Sequence, residues 1–229
     1  MRARLIESVE IAPEVRHFVF ETPELDRLEF TPGQFVSFTE PFNGKAVTRA
    51  YSIASAPAGN RFELCLNRVE DGIFSPYLFQ LCPGAEVEMR GPLGYFVPKQ
   101  PFAEAVFIAT GTGIAPFRGF VHSAAVLESD APITLLYGTR HEESIIYRDE
   151  FEALERTRPG FRFLPTLTRA TPAWPGRIGR VQQHLDEVLA GRTDLDVYIC
   201  GLKAMVDDVR SILKARGFDR KRIIAEKYD

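Results

Sequence analysis

Ala105-Val-Phe-Ile-Ala-Thr-Gly-Thr-Gly-Ile-Ala-Pro-Phe-Arg118 is an apolar run that stops abruptly at two glycines and a proline. A short apolar run with no polar alternation suits a buried strand, and its end suits a strand-turn-helix corner. Gly111 and Gly113 can take positive φ and let backbone amides approach a ligand, while Pro116 suits the first turn of a following helix. Thr110, Gly111, Thr112, Gly113 and Pro116 are therefore expected to form a phosphate-holding corner. The segment is only half of a dinucleotide fingerprint, because Pro116 stands where the third glycine of G-x-G-x-x-G belongs. Taken alone, it also reads as a tight connection in any α/β domain.

Downstream of this corner, strand-like and helix-like segments alternate. Candidate strands are 105–109, 133–137, 161–167 and 196–200, and candidate helices run 115–128, 149–156, 181–190 and 203–216. Apolar strands separated by helices predict a doubly wound parallel sheet buried on both faces. In such sheets ligands sit at the carboxyl ends of the strands, which lines up Thr110 to Pro116, Gly138 to Arg140, Thr168 with Arg169, and Cys200 with Gly201 along one rim. The second strand ends Tyr137-Gly-Thr-Arg140, with an arginine where an acid would take the ribose hydroxyls of NAD. Arg140 favours a 2'-phosphate, and Arg169 with Arg177 or Arg180 could add charge to that pocket. Glu142 and Glu143 lie close by and could instead serve an unphosphorylated ribose.

Upstream, from Arg2 to about Pro98, short alternating segments predict an antiparallel barrel or sandwich: 15–20, 34–38, 49–53, 61–66 and 86–90, punctuated by Pro32-Gly33, Gly59-Asn60, Pro83-Gly84 and Gly91-Pro92. Pro98 and Pro101 mark the expected boundary, giving domains at 1–98 and 102–229. In Arg49-Ala50-Tyr51-Ser52, strand alternation puts Arg49 and Tyr51 on one side and Ala50 and Ser52 on the other. A guanidinium could meet a phosphate there while the phenol offers a flat surface to another ring. An exposed Arg-Tyr pair is the plainer reading. Gly72-Ile73-Phe74-Ser75 opens a short helix, with Ser75 as the expected N-cap and Pro76 at its first position, and presents amides and a hydroxyl to an anion.

Composition narrows the function classes. With charged residues at 26% and a net charge of -3, nothing marks a nucleic-acid binder. The N-terminus meets Glu7 and Glu10 before any signal-like apolar stretch, and no run reaches the length of a membrane span, so a cytoplasmic setting is expected. Cys65, Cys82 and Cys200 are scattered, as are the four histidines, which predicts neither a disulfide framework nor a metal site. No C-x4-C-x2-C run is present for a plant-type [2Fe-2S] cluster.

Taken together, Arg49-Ala-Tyr-Ser52, Gly72-Ile-Phe-Ser75, Gly111-Thr-Gly-Ile-Ala-Pro116, Val197-Tyr-Ile-Cys-Gly-Leu-Lys203 and Ala225-Glu-Lys-Tyr-Asp229 resemble the ferredoxin-NADP(H) reductase family in order and spacing. The resemblance covers essentially the whole chain. It implies an N-terminal FAD-binding antiparallel β-barrel, then an α/β NADP(H)-binding domain. By the same resemblance Arg49 would bind an FAD phosphate, Tyr51 would pack on the isoalloxazine, Ser52 would lie near flavin N5, and Ser75 would contact the pyrophosphate. The Gly111–Pro116 turn would carry the nicotinamide nucleotide phosphates, and Cys200 with Gly201 would lie beside the nicotinamide. Glu226 and Tyr228 would form a C-terminal tail at the flavin; Asp229 after the tyrosine departs from the plant-type pattern.

The resemblance implies hydride passage between NADPH and FAD, with single electrons going to a ferredoxin or flavodoxin. An NADH-dependent flavin reductase or oxygenase reductase component is the alternative within enzymes. A non-catalytic flavin-binding electron-transfer subunit is the alternative outside them; such chains carry a cysteine cluster near the C-terminus, which this sequence lacks. A module that senses redox state by holding NADPH without turnover would be colourless when purified.

Overall fold

The computed structural model describes residues 1–228, so Asp229 lies outside the described residues. By packing, the chain forms two units: Met1–Pro98 with Ala115–Ser123, and Lys99–Ile114 with the chain from Ala124 onward.

The first unit contains β1 (Arg2–Ala12), β2 (Val15–Glu21), β3 (Phe35–Phe42), β4 (Lys45–Ser52), β5 (Arg61–Asn67), α1 (Phe74–Gln80) and β6 (Glu86–Leu93). Its strands form an antiparallel sheet in the order β4-β3-β6-β1-β2-β5. The two outer strands meet where Ile53 bridges Leu64 and the Ala54 N–H donates to the Glu63 carbonyl at 2.7 Å, which curls the sheet closed. Side-chain alternation sends Phe18, Phe20, Phe38 and Phe62 inward, and their rings pack with centroids 5.1 to 6.5 Å apart. Asn43 and Gly44, with φ of 52° and 75°, make the two-residue turn between β3 and β4, a conformation that this pair favours. β1 has no clean alternation in sequence because register shifts fall between Leu5 and Glu7 and between Glu10 and Ala12.

After β6 come β7 (Ala105–Thr110), α2 (Ala115–Val121), α3 (Ala124–Leu127), β8 (Ile133–Thr139), α4 (Arg148–Thr157), β9 (Phe161–Leu167), β10 (Arg177–Ile178), α5 (Leu185–Leu189), β11 (Asp196–Leu202), α6 (Lys203–Ala215) and β12 (Ile223–Tyr228). The strands pair in parallel in the order β10-β9-β8-β7-β11-β12. Five of six residues in β7 are buried, as a central parallel strand requires. On one face Val106, Ile108, Val197 and Ile199 pack with Val206, Val209 and Leu213 of α6. On the other, Phe107 meets Tyr198 at 5.5 Å and Phe151 meets Phe163 at 5.3 Å. The antiparallel barrel and the doubly wound parallel sheet are thus the two architectures expected from sequence.

Several local expectations change. The single helix expected over 115–128 is two, because Ser123 turns back on the Phe120 carbonyl through its N–H at 3.0 Å and its hydroxyl at 2.6 Å. α2 counts with the first unit by packing: a Cβ on Gly119 would lie 2.9 Å from the Ser55 carbonyl oxygen, and Arg118 donates to the Ala54 carbonyl at 2.9 Å and pairs with Glu63. The stretch 181–190 opens as a 3-10 turn over Val181–His184 before α5. The C-terminal segment is a strand rather than a tail, in register with β11 from Val197 opposite Ile223 to Leu202 opposite Tyr228.

Candidate functional site

The sheet of the second unit starts at β7, grows outward through β8, β9 and β10, then returns to β11 on the other side of β7. The crevice beyond the carboxyl ends of β7 and β11 is therefore the switch point at which sheets of this kind take ligands. Two glycines are required there by close approach. A Cβ on Gly113 would lie 2.4 Å from the Cys200 carbonyl oxygen, and one on Gly201 would lie 2.4 Å from Thr110 Oγ1. Gly111 differs: its φ is 53°, and a Cβ on it would meet nothing within 4 Å. Thr112 is half-buried, and Pro116 is buried as the second residue of α2.

Thr110 Oγ1 is buried and has no hydrogen-bond partner. Leaving such a hydroxyl unsatisfied costs about 1–3 kcal/mol, so an acceptor supplied by a ligand is worth having there. An unpaired hydroxyl, a 3-10 turn over Gly111–Ile114 and a cradle that side chains would fill together fit a nucleotide phosphate.

The next strand ends carry the cations. The Arg169 N–H donates to the Arg140 carbonyl at 2.8 Å and the Thr168 N–H to the Thr139 carbonyl at 3.0 Å, so the β8 and β9 exits run side by side. Arg140, Thr168, Arg169 and Arg180 are all exposed, and among the described residues none of the three arginines makes an ion pair. Arg177, a sequence candidate for the same pocket, is committed to Glu187 instead: their paired hydrogen bonds hold the Glu187 carboxyl below its ordinary value. Glu142, weighed as a ribose ligand, accepts from Arg148 at 2.7 Å. These commitments leave the cations in the larger share at the rim, which fits a phosphorylated ribose.

Cys200 lies inside the rim. Its register with Glu226, and that of Leu202 with Tyr228, puts all four side chains on one face of β11 and β12. Burial first, and the Glu226 carboxylate second, push the Cys200 thiol well above its ordinary value, against the hydrogen bond it shares with Tyr228. It stays a thiol at neutral pH, which suits packing and not nucleophilic chemistry. Glu226 and Tyr228 are half-buried.

In the first unit, the two sequence segments meet. Tyr51 of β4 and Phe74 of α1 approach at 6.2 Å between ring centroids. β4 stands at one end of the strand order, and along it Arg49 and Ala50 are exposed, Tyr51 is half-buried and Ser52 is buried. The Arg49 guanidinium spends one donor on the Thr48 carbonyl at 2.8 Å and keeps the rest for solvent or ligand. Burial raises the Tyr51 phenol above its ordinary value, so it stays neutral beside that cation. An edge strand bearing a free guanidinium and a neutral ring has the donor chemistry that a flavin nucleotide needs.

α1 corrects one expectation. It begins at Phe74, with exposed Ile73 as the residue before it, so Ser75 lies in the first turn and is not its cap. The Ser75 hydroxyl accepts from the Val69 N–H at 2.9 Å and keeps its own proton for a further partner. Gly72 closes the turn from Val69, its N–H donating to the Val69 carbonyl at 2.9 Å. Gly138, placed on the rim from the sequence, acquires a steric reason, and Arg118 escapes the sequence reading. Gly138 is forced by contact, since a Cβ would stand 2.8 Å from Val181 Cγ1. Arg118, which ties α2 to Glu63, had one visible signal: a lone cation in an otherwise apolar helix.

No group of three or more His, Cys, Asp and Glu is placed to hold a metal among the described residues, and none of their helices is long and apolar enough to cross a membrane.

Comparison with known proteins agrees with this geometry. Residues 2–97 match the oxidoreductase FAD-binding domain and residues 107–211 the oxidoreductase NAD-binding domain. The chain is 43% identical to ferredoxin–NADP reductase B of Sorangium cellulosum, over 99% of this chain and 97% of that protein. It is 29% identical to the toluate 1,2-dioxygenase electron transfer component of Pseudomonas putida, over 91% of this chain and 61% of that longer protein. Its fold superposes with a TM-score of 0.86 on a Neisseria gonorrhoeae ferredoxin NADP+ reductase solved with FAD and NADP, at 24% identity and with 99% and 98% of the two chains covered. With an FAD-binding barrel, an NAD-binding parallel sheet and this identity along its length, the chain belongs to the ferredoxin–NADP reductase family of flavin-dependent oxidoreductases.

Proposed function

We propose that this oxidoreductase uses NADPH and passes electrons to a ferredoxin or flavodoxin. The observation that carries the reading is the switch-point cradle, in which Thr110 Oγ1 lies buried without a partner against Gly201, and neither Gly113 nor Gly201 has room for a side chain. The uncommitted Arg140, Arg169 and Arg180 support NADPH over NADH. When bound, the flavin supplies both two-electron and one-electron chemistry, so reducing equivalents arriving from a nicotinamide can leave singly.

In this reading Arg49 neutralises a flavin phosphate, with Ser75 and the Ile73 and Phe74 amides as further donors. Tyr51 offers its neutral ring to the flavin, and Ala50 leaves the strand edge clear. Ser52 would hold a proton at flavin N5, and Glu226 of the second unit is a carboxylate able to exchange protons with solvent. Cys200 and Gly201 keep the nicotinamide position small and dry, and Tyr228 covers the reacting face until the nucleotide arrives. Cys65, Cys82 and Cys200 form no disulfide among the described residues, in accord with a reducing compartment.

A second reading is an NADH-dependent reductase component of an oxygenase, favoured by the similarity to the toluate dioxygenase electron transfer component. Steady-state turnover separates the two. The NADPH reading expects a yellow protein whose kcat/KM with NADPH exceeds that with NADH by on the order of 10-fold or more, with ferredoxin or flavodoxin reduced faster than free flavin. A preference for NADH overturns it in favour of the oxygenase reading, and a colourless protein overturns both.

A further inference from the structure

Three cations converge at the opposite rim of the second unit's sheet. Arg210 and Lys214 stand four residues apart on one face of α6, and Arg220 opens the short 3-10 turn over Arg220–Arg222 that leads into β12. With Ile223, the first residue of β12, they line a cleft of about 200 Å³. β12 runs parallel to β7 and β11, so a cleft at its first residue lies at the amino ends of the strands, whereas the glycine corner lies at the carboxyl ends.

The cleft has no anion of its own. Among the described residues the side chains of Arg210, Lys214 and Arg220 make no ion pair and no hydrogen bond, and Arg210 Nε is buried without a partner. The nearby acids have other first partners: Asp207 pairs with Lys227 and feels Arg210 only as a lesser charge, Asp186 pairs with Arg216, and Asp219 accepts from the Lys221 N–H at 2.8 Å. Like charges at i and i+4 on a helix repel, and a buried guanidinium nitrogen with no acceptor adds its own cost. A fold that gathers three cations with an unsatisfied donor around one hollow is built for an anion.

We propose that this cleft is a binding site for a phosphoryl group, distinct from the nucleotide site at the other rim. Two arginines and a lysine around a hollow of this size suit the tetrahedral oxygens of a monophosphate or a diphosphate, with Ile223 as the apolar floor. A bound phosphoryl group links α6 to the start of β12 and removes the repulsion between them, so occupancy stabilises the second unit.

The test uses the full flavoprotein titrated with inorganic phosphate and with pyrophosphate, chloride holding ionic strength constant. Both anions are expected to raise the melting temperature with the logarithm of their concentration, by roughly 5 °C at 100-fold excess over Kd, and to shift the backbone amide resonances of residues 210–223 along a saturable curve. Tighter binding of pyrophosphate points to a diphosphate-bearing ligand, and equal binding points to a monophosphate. The Lys214→Gln/Arg220→Gln variant should need on the order of 10-fold or more anion for the same effect, while Arg140→Gln at the other rim should keep the response of the 210–223 amides. Saturation unchanged in the double variant, or amide shifts confined to the carboxyl rim, overturns the proposal. If the double variant does not fold, the amide map of the unaltered protein decides alone.

Discussion

β4 and the glycine corner are built by opposite means. On β4 the proposed chemistry would hang on side chains of a strand paired with β3: Arg49 is exposed and Tyr51 is half-buried. At the corner the backbone is the device. Gly113 and Gly201 are held where any Cβ would strike Cys200 or Thr110, and only Thr110 contributes a side-chain atom without a partner. A side-chain site can lose one contact and keep its shape, whereas a backbone site loses its shape with one added carbon.

Gly113→Ala is the sharpest test of that contrast. A Cβ at 2.4 Å from the Cys200 carbonyl must push the 3-10 turn over Gly111–Ile114 away from β11, which should cost about 3 kcal/mol and lower NADPH affinity by on the order of 100-fold, read by nucleotide titration and thermal melting. Gly111→Ala is the matched control: it meets open space and bears only the positive φ, for about 1 kcal/mol. Equal effects from the two would break the contrast.

Arg49→Ala should act on the other region alone. Loss of a charge-assisted contact to phosphate is worth about 2 kcal/mol, so FAD affinity should fall roughly 30-fold with the melting temperature of the flavin-saturated protein little changed, as measured by flavin release on dilution. A collapse of the barrel in this variant would mean that β4 too is a structural device.

At the carboxyl rim, Arg140→Glu should shift the NADPH-to-NADH ratio of kcat/KM by about 10-fold toward NADH with kcat for the preferred nucleotide retained. An unchanged ratio removes Arg140 from the selectivity account and leaves Arg169 and Arg180.

The smallest effect concerns Cys200. Its thiol is raised by burial and then by Glu226, so it stays protonated in the folded chain above about pH 8.5, where an unfolded cysteine ionises. The folded state then binds more protons than the unfolded one, and stability falls as pH rises past that point. Denaturant titrations between about pH 8 and 10 should show this decline, and Cys200→Ala should flatten its slope while shifting the whole curve by about 1 kcal/mol.

How much of this was legible depended on whether one segment carried its own signal. β7 was readable because a strand buried on both faces is apolar throughout, and the corner after it because two glycines and a proline interrupt that run. β12 was not, since Ile-Ile-Ala-Glu-Lys-Tyr has no clear period and its strand state depends on the β11 edge beside it. The break between α2 and α3 turns on one hydroxyl, Ser123, reaching back to Phe120. Ser75 looked like a cap because Pro76 follows it, yet the helix starts two residues earlier and the Ser75 hydroxyl accepts from the Val69 N–H. The commitment of Arg177 to Glu187 and of Glu142 to Arg148 could come only from the folded chain, and it is what clears the rim for Arg140, Arg169 and Arg180.

The central claim is that the corner holds NADPH and that Ser52 serves the reacting edge of a bound flavin. Anaerobic stopped-flow mixing of the purified protein with NADPH tests it most directly. The account predicts rapid bleaching of the flavin band, faster with NADPH than with NADH, and a fall in that rate on the order of 100-fold in Ser52→Val with FAD still bound. Bleaching at an unchanged rate in Ser52→Val, or none in the unaltered protein, would contradict it.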